Sequence, residues 1–201
     1  GRRVTIPDGA TREAITPDPG VAVWDVSHLL PTKGGKPQPE RKPGAKIVRC
    51  YVHKSGGEGG PGFAGLLASA RYVVGKRGFP GMPYTFWAST VPDVDTDGRL
   101  VLYRGASDIR RTWHTGGPCN DHGVSLALQG NLSKRDLTPD QRRVAEAGLA
   151  YVLARYPDLD VIEPIGRHSQ AKQYGAPKDK QICPGAYGER WLDGWLNARG
   201  A

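Results

Sequence analysis

Cysteine is scarce in this chain, with three in 201 residues. Three thiols are too few to staple a disulfide scaffold. No apolar run approaches the ~20 residues that a membrane-spanning helix requires. The N-terminus lacks the apolar stretch of a secretory signal and begins with Gly1 instead of Met. It reads as a processed or cut chain. There is no internal repeat, and no basic block interleaved with aromatics, which argues against nucleic acid as a partner.

What is present is a surplus of positive charge, 28 Lys and Arg against 20 Asp and Glu, for a net +8. That balance favours an anionic partner: nucleic acid, a membrane surface or a bacterial cell wall. A hydrophobic share of 38% in a chain of this length supports the core of a single domain.

Residues 1 to about 44 are rich in Pro, Gly and charge, with only Val21 to Trp24, Leu29 and Leu30 ready to pack. They read as an irregular arm laid over a domain spanning residues 45–201. Ile47 to His53 reads as a buried strand. Pro61 to Lys76 reads as a helix, because Phe63, Leu66, Leu67, Ala70, Val73 and Val74 recur at three and four. Tyr84 to Val91, Leu100 to Arg104 and Gly123 to Leu128 read as strands, and Asp93 to Gly98 as a hairpin turn. Thr138 to Tyr156 reads as a helix in which Thr138 caps and Gln141 completes a capping box. Val161 and Ile162 suggest a short strand, and Tyr187 to Ala198 a final helix. The expected fold is α/β, a mixed central sheet flanked by helices.

Three residues suggest a metal site. An apolar run leads straight into His53. His168 lies upstream of Cys183, which precedes Pro184-Gly185. Imidazole and thiolate are preferred zinc ligands, and three protein ligands leave a fourth position open, as in catalytic sites. From spacing alone, two solvent-facing histidines and a core cysteine explain the same residues. Cys50 and Cys119 then remain, as two buried free thiols or, in an oxidising compartment, as a disulfide pair, the free thiols being favoured. His114, between an aromatic and glycines, suits a groove wall where it hydrogen-bonds a substrate. A phenol at Tyr84 suits donation to a carbonyl oxygen gaining negative charge. Asp93 to Gly98 imitates the start of a calcium loop, but Arg104 stands where the bidentate glutamate belongs, so a hairpin turn is expected.

In this order the motifs resemble the zinc N-acetylmuramoyl-L-alanine amidases, the superfamily that includes peptidoglycan recognition proteins and amidase-type phage lysozymes. The resemblance rests on Val52-His53-Lys54-Ser55, Tyr84-Thr85-Phe86 with Asp97-Gly98, and Trp113-His114-Thr115-Gly116 with Asn120. Gly123 to Asn131, the helix after it, His168 and Cys183-Pro184-Gly185 complete it, covering residues 45 to 198. It implies Zn2+ held by His53, His168 and Cys183, and hydrolysis of the amide between N-acetylmuramic acid and the L-alanine of the stem peptide. It implies catalytic roles for Tyr84 and Gln181, and substrate contacts from Trp113, His114 and Asn120. The implied partner is bacterial peptidoglycan or its muropeptides, reached in the periplasm, after secretion or by phage delivery. A non-catalytic peptidoglycan-binding module of the same fold is the alternative. Three positions depart from the family pattern. The loop from Ser169 to Ile182 is longer, Gln181 stands where Lys or Thr is common, and Ala127 where some relatives carry glutamate.

Overall fold

The computed structural model describes residues 5–177 and 182–200. Its strands are β1 (Thr11–Ile15), β2 (Val21–Asp25), β3 (Arg49–Lys54), β4 (Phe86–Ala88), β5 (Leu100–Arg104), β6 (Gly123–Leu128) and β7 (Ile165–Arg167). They form one seven-stranded sheet in the order β1-β2-β5-β4-β6-β3-β7. Strands β4, β6, β3 and β7 run parallel to one another, while β5 is antiparallel to β4. The helices are α1 (Gly62–Gly75), the short α2 (Cys119–His122), α3 (Pro139–Arg155) and α4 (Ala186–Gly200).

Side chains alternate across the sheet with the period of two that a pleated strand imposes. Leu100 and Leu102 of β5 face one side, where α3 and α4 bring Leu149, Val152, Trp191 and Leu192. Val101 and Tyr103 face the other, against Leu66 and Ala70 of α1. Two helices therefore cover one face. On the other face α1 and part of the N-terminal segment pack over β5 and β4, and Cys119, Ala171 and Ala176 cover Tyr51 of β3.

The N-terminal segment is not an irregular arm throughout. Residues 11–25 form a hairpin, and β2 pairs in parallel with β5 from Val21↔Leu100 to Asp25↔Arg104. Glu13 carries the tie inward. Its carboxylate accepts from Arg104 at 2.5 and 2.9 Å and from Tyr151 at 2.7 Å. Burial alone would raise the Glu13 pKa, but the Arg104 hydrogen bond and charge, with Tyr151, outweigh it and lower it. A depressed carboxylate stabilises above its unfolded pKa of about 4.3 and loses that contribution as pH falls through the lower folded value. Glu13→Gln should thus cost roughly 1–3 kcal/mol at pH 7. Urea unfolding should show the gap to wild type closing below about pH 4; a gap independent of pH would contradict the pairing.

Three local readings change. Thr138 does cap α3, accepting from the Gln141 backbone N–H at 3.2 Å. The Gln141 amide does not complete a box; it donates to the carbonyls of Ala88 and Gln129 at 3.1 and 2.8 Å. Val161 and Ile162 are not a strand but an exposed turn, at 95% and 86% exposure, with β7 starting three residues later at Ile165. The strand expected from Tyr84 to Val91 shortens to Phe86–Ala88. Asp95 sits in a tight turn, its Oδ1 accepting from the backbone of Asp97 and Arg99, both at 2.9 Å. All three cysteines are buried and unpaired by disulfides. No helix among the described residues is long and apolar enough to cross a membrane.

Candidate metal centre

The pleat of β3 decides where His53 points. Cys50 and Val52 face α3 and α4, so His53 faces the α1 side. Its register partner on β6 is Ala127. A methyl group there leaves the space beside the imidazole open. On the other flank β3 pairs in parallel with β7, Val52 opposite Arg167. One step further along that register brings His53 beside His168, and their ring centroids lie 4.5 Å apart. Both histidines therefore sit at the carboxyl ends of parallel strands, where open α/β sheets place their ligands. Cys183 arrives from the segment ahead of α4.

The ligand atoms of His53, His168 and Cys183 all lie within 4.8 Å of one another. Cys183 Sγ is 4.0 Å from His53 Nδ1. A tetrahedral zinc would set sulfur and nitrogen ~3.6 Å apart, so a small adjustment suffices. The other imidazole nitrogen, His53 Nε2, is buried without a hydrogen-bond partner among the described residues. A buried polar atom in that condition calls for a water or another hydrogen-bond partner, while Nδ1 is the nitrogen that faces the thiol. Sγ accepts from the Lys54 backbone N–H at 3.4 Å, which favours the thiolate. Burial, then the neighbouring His168 and His114, hold the His53 pKa well below the ordinary histidine value. The ring stays neutral, as a metal ligand requires. The donor set and its spacing fit zinc.

The three residues line a groove of about 320 Å³. The Tyr84 ring lies 5.3 Å from His53, and burial with the nearby Cys183 keeps its hydroxyl protonated by raising its pKa. The His114 ring meets His53 edge-on at 5.5 Å. Burial first, then the Arg41 and His168 charges, lower its pKa to about 3, so at neutral pH it is an uncharged donor and acceptor. Trp113 is 44% exposed on the rim, its ring tilted at 58° against that of Phe79 with centroids 5.8 Å apart. Asn120 is buried and does not line this groove. Its Oδ1 accepts from the backbone N–H groups of Thr115 and Gly116 at 3.1 and 2.9 Å, fixing the loop that carries Trp113 and His114. Gln181 lies outside the described residues.

Sequence reasoning overlooked the rest of the groove. Arg77, Tyr72 and Ser69 line it from α1 and the turn after it, as does Lys54 from β3. The available signal was a cation just past the end of a helix whose apolar stripe is only partly buried. Arg77, Tyr72, Ser69, Ser55 and Gly56 also line an adjoining cavity of about 450 Å³, so the two form one groove with two lobes. Its charged side chains are Lys54 and Arg77, with no carboxylate among the lining residues.

Residues 45–186 match the family model described as N-acetylmuramoyl-L-alanine amidase. The chain belongs to that family. Solved structures agree with the amidase fold. Bumblebee PGRP-SA is 16% identical with a TM-score of 0.61, covering 87% of this chain and 95% of that one. Drosophila PGRP-LB is 16% identical with a TM-score of 0.62, covering 87% and 94%. An endolysin, the N-acetylmuramoyl-L-alanine amidase LysCS from Clostridium intestinale URNW, is 20% identical with a TM-score of 0.52, covering 81% and 93%. No curated protein sequence matches the chain. Family membership places this amidase-family chain in peptidoglycan chemistry.

Proposed function

We propose that this chain is a zinc-dependent peptidoglycan hydrolase that cleaves the amide between N-acetylmuramic acid and the L-alanine of the stem peptide. The observation that carries the reading is the convergence of His53, His168 and Cys183 on the floor of an open groove. When bound there, zinc supplies a Lewis acid for the carbonyl and lowers the pKa of water to about 7.

The chain's own groups do the remaining work. Tyr84, protonated and beside His53, donates a hydrogen bond to the carbonyl oxygen as it gains negative charge. His114, neutral and walled in, orients the substrate amide. Trp113 and Tyr72 offer apolar faces to the sugar and peptide. Lys54 and Arg77 make the groove attractive to anionic substrate, in keeping with the net charge of +8. Hydrolysis adds one water across the amide: its oxygen bonds to the carbonyl carbon as the C–N bond breaks, and the proton it gives up goes to the leaving L-alanine nitrogen. Ala127 cannot supply one, and Gln181 carries no proton that it exchanges near neutral pH. The enzyme acts on the cell wall, reached in the periplasm, after secretion or by phage delivery.

Digestion of purified sacculi with zinc-loaded protein tests the reading. Mass spectrometry should find free stem peptides beginning with L-alanine and unsubstituted muramic acid, and a chelator should abolish both. Binding without release of either product would instead identify a non-catalytic binding module.

A further inference from the structure

The second lobe of the groove has a wall that should not hold its shape unaided. That wall is Ser55, Gly56, Gly57 and Gly59, facing Ser69 and Tyr72 of α1. The loop contains four glycines between Ser55 and Pro61, and three of them adopt positive φ: Gly56 at 82°, Gly59 at 57° and Gly60 at 100°. Such a sequence loses much conformational entropy on becoming fixed.

Its anchors lie outside the groove. Glu58 is absent from the lining and turns the other way. Its carboxylate takes a two-pronged grip from Arg135, with Nε at 2.9 Å and Nη2 at 3.1 Å. The same Nη2 donates to Thr90 Oγ1 at 2.7 Å and to the Gln129 carbonyl at 2.9 Å. Gln129 is fully buried, and its amide donates to the carbonyls of Glu58 and, at 2.6 Å, Gly60. The Arg135 hydrogen bond is the main cause that lowers the Glu58 pKa. Gln129 follows β6, two residues past the Ala127 that pairs with His53. The brace thus references the loop to the strand that also positions the metal ligand.

We infer that the Glu58–Arg135–Gln129 brace is a positioning device that sets the affinity of the second lobe for the part of the substrate beyond the reacting carbonyl. Glu58 and Arg135 touch neither substrate nor reacting atoms; they act through the glycine wall. A half-exposed ion pair contributes little to global stability. It is well suited to biasing one loop between an ordered and a disordered wall. The inference builds on the amidase reading for its substrate, a muramyl peptide.

The test compares wild type with Glu58→Gln, Arg135→Ala and the double variant, using a muramyl tripeptide and a muramyl-L-alanine substrate that stops short of the second lobe. If the wall is in place in only one-tenth to one-fifth of molecules without the brace, KM rises by about the same factor, roughly five- to tenfold. We expect that rise for the tripeptide, kcat within about twofold of wild type, full zinc content and no rise for the short substrate. The double variant should match the single ones, since either change opens the same contact. Unchanged KM for the tripeptide overturns the inference. So does a parallel fall of kcat, zinc content and melting temperature, which would mark a merely structural role. Should wild type bind muramyl tripeptide without cleaving it, the amidase reading fails on its own, and the dissociation constant then carries the same comparison.

Discussion

Cys183→Ala protein should fold, contain little zinc and release no stem peptide. Removing one of three ligands leaves two histidines, too few to hold a catalytic zinc. Zinc contributes several kcal/mol of charge stabilisation in such reactions, and each ~1.4 kcal/mol is a factor of ten, so the rate should fall by at least about 10³. Cys183 is buried, but it belongs to none of the apolar clusters that pack the helices on the sheet. Circular dichroism should therefore match wild type, while metal analysis and muropeptide release both collapse. A zinc-free variant with full activity would remove the metal assignment. A variant that fails to fold is replaced by His168→Ala, at a half-buried position on the groove side.

Tyr84→Phe should keep zinc and substrate affinity and lose turnover. The ring remains against His53, so packing is preserved, and only the hydroxyl is deleted. Losing one donor to a developing oxyanion typically costs on the order of 10²–10³ in kcat. Because the interaction strengthens as charge develops, KM should change little. Steady-state kinetics on a soluble muramyl peptide separates the two parameters. A loss confined to KM would make Tyr84 a binding residue instead.

Much of this was legible in the chain because periodic patterns survive into the fold. Strand β6 runs from Gly123 to Leu128 as its apolar run indicates, and β3 delivers His53 at the end of a buried strand. The meeting of His53 with His168 is a matter of register, since β3 and β7 pair in parallel one step before both residues. What escaped depends on partners distant in sequence. Residues 11–25 looked irregular because a five-residue edge strand carries little periodicity; pairing with β5 and the grip of Glu13 on Arg104 fix it. Val161 and Ile162 are apolar enough for a strand, yet Asp160 accepts from the backbone of Ile162 and Glu163 and closes a turn there. Gln141 has the spacing of a capping box, but two buried carbonyls at Ala88 and Gln129 claim its amide. Asn120 looked like a substrate contact, and the backbone of its own loop uses its oxygen. The second lobe of the groove had no sequence signature, because its wall depends on Arg135 reaching Glu58 from 77 residues away.

X-ray absorption at the zinc edge of the loaded protein addresses the central proposal most directly. The ligand set His53, His168 and Cys183 with an open position predicts one sulfur at about 2.3 Å and nitrogen or oxygen neighbours near 2.0–2.1 Å, at least two of them with imidazole scattering. A zinc shell without sulfur, or with two or more sulfurs, would contradict it.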